Sequence, residues 1–157
     1  MAITKRIKIR VRAGDTDFTG FAFNARVVEW FSAGRIELLR SKKITYANDG
    51  SLLVDGQPQK VSFVVGEVYA RFHAPARFDD LVQLRTRIVD VSEKTLRFDY
   101  EIKRLPDRKL LVTGTSTSVC LSRETMRAEK IPADISERLR AGRWPPKDRG
   151  SLQKALI

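Results

Sequence analysis

The sequence predicts an α+β fold, an antiparallel sheet of about five strands wrapped around one long central helix. Three observations predict it. Apolar and polar residues alternate through several separate stretches, the mark of half-buried strands. One long proline-free stretch instead repeats its apolar residues at helical spacing. The links between the last three predicted strands are too short for parallel crossovers and suit hairpins. The chain has 157 residues, 42% of them hydrophobic and 31% charged, a balance that fits one domain with its own core and excludes disordered or collagenous chains. A single Cys120 cannot form an internal disulfide and points to a reducing compartment. Neither a secretory h-region nor an apolar run of about 18 residues is present, so the expected location is the cytoplasm.

From Arg6 to Arg12 the alternation is complete, with Ile7, Ile9 and Val11 on one face and Arg6, Lys8, Arg10 and Arg12 on the other. Ala13 to Phe23 breaks it with glycines, aspartates and threonines and is expected to be an irregular loop. Asn24 to about Lys42 follows as the helix, with Val27, Val28, Phe31, Leu38 and Leu39 near one face and Trp30, Ala33 and Ile36 widening it. Its polar remainder is thin, which predicts that other structure encloses most of it. Residues 41–60 carry Asn48-Asp49-Gly50, Asp55-Gly56 and Pro58, turn chemistry that predicts a connection. Strands are expected near 61–73, 80–91, 95–104 and 110–122, then a short helix opened by Pro132 and ending near Gly142. The domain is therefore placed at 1–141 and a basic tail, with Trp144-Pro145-Pro146, at 142–157. One helix covers only part of such a sheet, so a second copy of the chain is expected to complete an edge or a face.

A formal charge of +11 favours anionic partners. The chemistry available is narrow. His73, the only histidine, stands at a strand end and is expected to bond locally. One Cys and one His supply no metal-ligand cluster, so neither metal nor cofactor is expected. The segment Gly14-Asp15-Thr16-Asp17-Phe18-Thr19-Gly20 lacks the lysine of a P-loop and the spacing of a dinucleotide turn. Asp15 and Asp17 nevertheless precede the N-terminus of the helix, where unpaired amides carry the positive end of the dipole. They either serve as turn formers that complement that dipole, with Asn24 capping the helix, or act on a carbonyl held by those amides. Asp79 and Asp80 are adjacent, so in extended chain they face opposite ways and are expected only to open the next strand. Cys120 is expected to be a buried structural thiol.

The stretch Arg12 to Arg26, RAGDTDFTGFAFNAR, resembles the opening motif of hotdog-fold acyl-CoA thioesterases of the 4-hydroxybenzoyl-CoA thioesterase type. Ala74-Pro75-Ala76-Arg77-Phe78-Asp79-Asp80, the hairpin at Lys94-Thr95-Leu96 and Met126-Arg127-Ala128 extend the similarity over roughly residues 6–133. The resemblance implies hydrolysis of an acyl-CoA thioester, with Asp17 as nucleophile or general base and Asp15 as its lesser neighbour. It implies that the backbone N–H at Asn24, with that of Ala25, polarises the carbonyl. Many relatives have tyrosine or histidine where this chain has Asn24, so the role implied is a backbone one. By the same resemblance Lys94, Thr95 and Arg127 contact coenzyme A phosphates, and Phe23 with Phe21, Trp30 and Phe63 lines the acyl pocket. Glu29, placed where another branch of hotdog thioesterases uses a glutamate, is the reserve catalytic candidate. A homodimer or homotetramer is implied. Thioesters on an acidic carrier protein are the alternative substrate; a nucleic-acid-binding domain, suggested by charge alone, is the lower alternative.

Overall fold

The first alternating stretch becomes strand β1, Ile3–Arg10, in the computed structural model, which describes residues 3–142. Its end falls short of the expected 12 because Val11 leaves the ladder and pairs its N–H with Asp80 O and its carbonyl with Asp79 N, both at 2.9 Å. One turn of 3-10 helix, Ala13–Asp15, lies in the loop that follows. Helix α1 spans Asn24–Ser41.

Three short strands then appear where a connection was expected: β2 (Ile44–Tyr46), β3 (Leu52–Val54) and β4 (Gln57–Pro58) form a small sheet in that order. The two expected turns are its hairpins. Gly50 and Gly56 take positive φ, and the strands are too short for any period to show in the sequence. The main sheet follows, from β5 (Val61–Phe72), β6 (Leu81–Val91), β7 (Thr95–Leu105) and β8 (Leu110–Ser122). Its order is β1-β6-β7-β8-β5, with every pair antiparallel. A short helix α2, Ala133–Arg140, begins after Pro132. Trp144-Pro145-Pro146 and the rest of the expected tail beyond Gly142 lie outside the described residues.

Helix α1 packs on one face of this sheet. Val27, Trp30, Phe31, Leu38 and Leu39 are buried, and the Phe31 ring stacks on Tyr100 of β7 with centroids 4.1 Å apart and planes within 8°. Burying each such side chain stabilises the fold by about 1.5–3 kcal/mol. Arg85, Arg87, Asp99, Glu101 and Lys103 form ion pairs on the opposite face, so that face is charged. A single chain leaves Val28 and Ile36 on the outer side of α1 exposed.

The two edges of the sheet differ. Strand β1 presents Lys5, Arg6, Lys8 and Arg10, charges of the kind that deter strand addition. Strand β5 presents exposed Val64, Val65, Val68, Tyr69 and Phe72. Its register against β8 slips at Gly66, between Val65 and Glu67. That bulge changes the alternation, so Val65 and Val68 share the helix-side face with Phe72, opposite Ser118, Ser116 and Val112.

Candidate active site

The loop before α1 is held from both sides. Asp15 is buried and its carboxylate accepts the Arg12 N–H at 2.8 Å, while its carbonyl accepts the Phe23 N–H at 2.8 Å. Asp15 is thus a structural member of the turn. Asp17 donates its N–H to Phe21 O at 3.0 Å and accepts the Gly20 N–H on its own carbonyl at 3.1 Å. Gly20 closes that turn with φ +83°, a conformation that suits glycine. On the far side, Ala22 donates to Ala76 O at 2.8 Å and Phe21 bridges to Arg77.

The carboxylate of Asp17 is asymmetric in its partners. Its Oδ1 accepts both the Thr19 N–H at 2.8 Å and the Thr19 hydroxyl, whereas Oδ2 accepts no hydrogen bond from another described residue. The Thr19 hydroxyl first, and then the Thr19 amide, hold this carboxyl below the ordinary aspartate range. It is therefore ionised at neutral pH, with one oxygen committed and the other available.

At the start of α1 the N-cap residue is Phe23, and no side chain caps the helix. This corrects the expectation that Asn24 could cap: Asn24 is the first helical residue. The Arg26 N–H turns back to Phe23 O at 2.9 Å, but the amides of Asn24 and Ala25 find no acceptor among the described residues. Two aligned donors at the positive end of an 18-residue helix are thus left open.

Asp17 and Asn24 line one cavity of about 500 Å³ together with Phe21, Trp30, Phe72 and His73. Ile102, Leu111 and Val112 form an apolar floor. The arrangement can hold a carbonyl oxygen on main-chain amides while a carboxylate oxygen, or a water it deprotonates, approaches the carbonyl carbon. His73 Nε2 lies 2.8 Å from Thr113 Oγ1 of β8, a bond to the neighbouring strand where a local one was expected. Its place on the cavity wall was not anticipated, nor was that of Phe72. Only the pairing of Phe72 with Val112 across β5 and β8 puts them there, and no local pattern encodes that register.

Other expected site residues stand elsewhere. Phe23 is half-exposed and is not among the residues lining this cavity. Phe63 lines a second, smaller cavity near the other end of β5. Glu29 is exposed and paired with Arg26 at 2.9 Å. Asp79 and Asp80 sit in the loop before β6, where Asp80 accepts the Arg77 N–H at 2.9 Å. Cys120 is buried, and burial pushes its thiol up to about 11. Lys94, Thr95 and Arg127 cluster at the far end of the sheet: Thr95 pairs with Val119, Lys94 O accepts the Cys120 N–H, and Arg127 O accepts the Ser122 N–H. Val119 is seven residues along β8 from Val112, roughly 23 Å at strand rise.

The model of the thioesterase-like superfamily matches residues 11–139. The chain is 28% identical over 130 residues to the acyl-CoA thioester hydrolase YbgC of Escherichia coli, covering 83% of this chain and 91% of that one. It is 27% identical to the acyl-CoA thioesterase YbgC of Haemophilus influenzae, covering 81% and 88%. Among solved structures it is similar to the hypothetical protein TT1821 of Thermus thermophilus, with 30% identity, TM-score 0.73 and coverage of 85% and 95%. In fold it also resembles Slr0204, a 1,4-dihydroxy-2-naphthoyl-CoA thioesterase of Synechocystis, with 19% identity, TM-score 0.75 and coverage of 87% and 95%.

Proposed function

This chain belongs to the thioesterase-like superfamily and is a thioester hydrolase; from that premise we propose that Asp17 and the amide N–H of Asn24 hydrolyse an acyl-CoA in the cavity at the start of α1. One observation carries the reading: an ionised carboxylate with a free oxygen and an uncapped helix N-terminus line the same cavity. The thioester oxygen takes the N–H of Asn24, helped by that of Ala25, where donors aimed at developing negative charge are worth about 10²–10³ in rate. Oδ2 of Asp17 either attacks the carbonyl carbon or removes a proton from the water that does. In either case the C–S bond breaks and the coenzyme leaves as its thiolate and takes up a proton. After direct attack the acyl group is left on Asp17 as a mixed anhydride, which water hydrolyses to the acid and the free carboxylate, whereas after water attack the acid forms at once.

The sheet and α1 make a hotdog with α1 as its central helix, and the working unit is a homodimer, or a homotetramer built from dimers. Pairing the β5 edges of two copies in antiparallel fashion brings the Val64 end of one beside the Phe72 end of the other. Lys94, Thr95 and Arg127 of the partner subunit then stand about three strand spacings, roughly 14 Å, from the cavity. That span matches the pantetheine arm of coenzyme A, and those residues become its phosphate contacts. Phe23, at the N-cap, borders the same interface and contacts the substrate from there.

The test is thiol release from aryl and aliphatic acyl-CoA substrates by the wild type and Asp17→Asn. Loss of about 10²–10⁴-fold in kcat, the range for a positioned acid or base, with an unchanged melting temperature is expected. Near-wild-type turnover by the variant on the best substrate removes Asp17 from the mechanism.

A further inference from the structure

The second cavity, about 180 Å³, is lined by Ser32, Arg35, Ile36 and Leu39 of α1, by Tyr46, and by apolar and serine side chains of the sheet. Arg35 is its only charged lining residue. Its Nη1 donates to the Tyr100 hydroxyl at 2.9 Å and its Nη2 to Ser32 Oγ at 2.7 Å. Among the described residues no carboxylate lies within ion-pair distance of it, whereas Arg85, Arg87, Arg104 and Arg138 each have one. Burial raises the Tyr46 and Tyr100 hydroxyls above their ordinary range, so both remain neutral and do not balance the guanidinium. A half-buried cation thus faces a mostly apolar space with donors to spare.

We propose that this cavity binds a carboxylate carried on a short apolar body, its oxygens on Arg35 and its body against Ile36, Leu39, Phe63 and Phe98. The volume is below the ~300–1,000 Å³ of pockets for drug-sized ligands, so the body is small. The guanidinium's fork matches a carboxylate in bidentate geometry, and its single positive charge balances one carboxylate but not a phosphate dianion. Two sources supply that chemistry. One is a free carboxylic acid, the class of product that thioester hydrolysis releases. The other, which rests on the proposed hydrolysis and on β5 pairing, is the distal carboxylate of a dicarboxylic acyl thioester held at Asp17 of the partner subunit. Val65 of this cavity and Phe72 of the first share one face of β5, so antiparallel pairing sets the two cavities side by side across the interface.

Titration calorimetry with benzoate, and with benzamide as the uncharged control, tests the first source. Wild type and Asp17→Asn bind benzoate alike, benzamide does not saturate, and Arg35→Met weakens benzoate by roughly tenfold or more, as expected for a charged hydrogen bond. Arg35→Lys restores part of the affinity, and Ile36→Trp, which fills the space but keeps the guanidinium, removes it. The second source is read from kcat/KM for glutaryl-CoA against pentanoyl-CoA: Arg35→Met lowers the ratio by roughly tenfold and leaves pentanoyl-CoA unchanged. Arg35-dependent benzoate binding or an Arg35-dependent ratio supports the site and identifies its source. Benzoate binding that is absent or unchanged in Arg35→Met, with an unchanged ratio, overturns it. If the wild type hydrolyses neither thioester, these two acyl groups are not its substrates and benzoate alone decides the site.

Discussion

At Asp17 one carboxylate oxygen is committed to Thr19 and the other is open, and this division makes Thr19 the residue that tunes the site. Both Thr19 hydrogen bonds favour the charged form, so the carboxyl lies below its ordinary range. Removing the hydroxyl removes the larger of the two. Thr19→Val therefore raises the pKa of Asp17 toward the ordinary aspartate value of about 3.9. Because hydrolysis needs the ionised form, the acidic limb of kcat/KM against pH moves to higher pH in this variant while the plateau changes less. A limb that stays in place would show that Thr19 does not set the charge of Asp17. Asp17 was singled out by the resemblance of residues 12–26 and not by spacing, which equally allowed a turn former, and the structure places it on the cavity wall. The capping alternative for Asn24 was not met, since chain direction into α1 makes Phe23 the N-cap. His73 and Phe72 gave no local sign of a site at all.

Among the elements, α1 and the sheet pack without spare room where they meet at a glycine. At Gly114 of β8 the Phe31 ring of α1 fills the place of a side chain, and a Cβ there would lie 2.6 Å from Tyr69 O and 2.7 Å from that ring. One of these neighbours is backbone and the other a stacked aromatic, so neither yields easily. Gly114→Ala is expected to cost about 1–3 kcal/mol, the range for overpacking, measurable as a lower midpoint in urea unfolding. The long strands and α1 were legible because their periods run over eight residues or more. The small β2-β3-β4 sheet was not, since strands of two and three residues show no period and only their turns can be read. The bulge at Gly66 was also hidden, although it decides which β5 side chains face α1.

At the level of the whole molecule, one edge of the sheet is guarded by charge and the other is apolar. An apolar strand edge left open is a site for strand addition, and here a second copy would also supply Lys94, Thr95 and Arg127 to a cavity that lacks them. Wild type is expected to sediment as a dimer or tetramer, and Val68→Lys combined with Tyr69→Lys as a monomer, in sedimentation equilibrium. Hydrolysis should fall with it, although Asp17 and α1 are untouched. A double variant that stays associated, or a monomer that keeps full activity, would rule out β5 as the joining edge. A second copy completing an edge or a face was already expected, because one helix leaves part of the sheet uncovered, but the expectation did not say which edge.

The sequence by itself determined the long strands and helices, the acidic loop before α1, the excess of positive charge and the family. Each of these is written in local order or in composition, and periods of 2 and 3.6 act over neighbouring residues. Tertiary structure alone decided which residues share the cavity with Asp17, that the cap of α1 is left open, and that Lys94, Thr95 and Arg127 stand at the opposite end of the sheet. Those facts depend on register between strands distant in the chain, and a register is an energy of packing that no short stretch of residues carries.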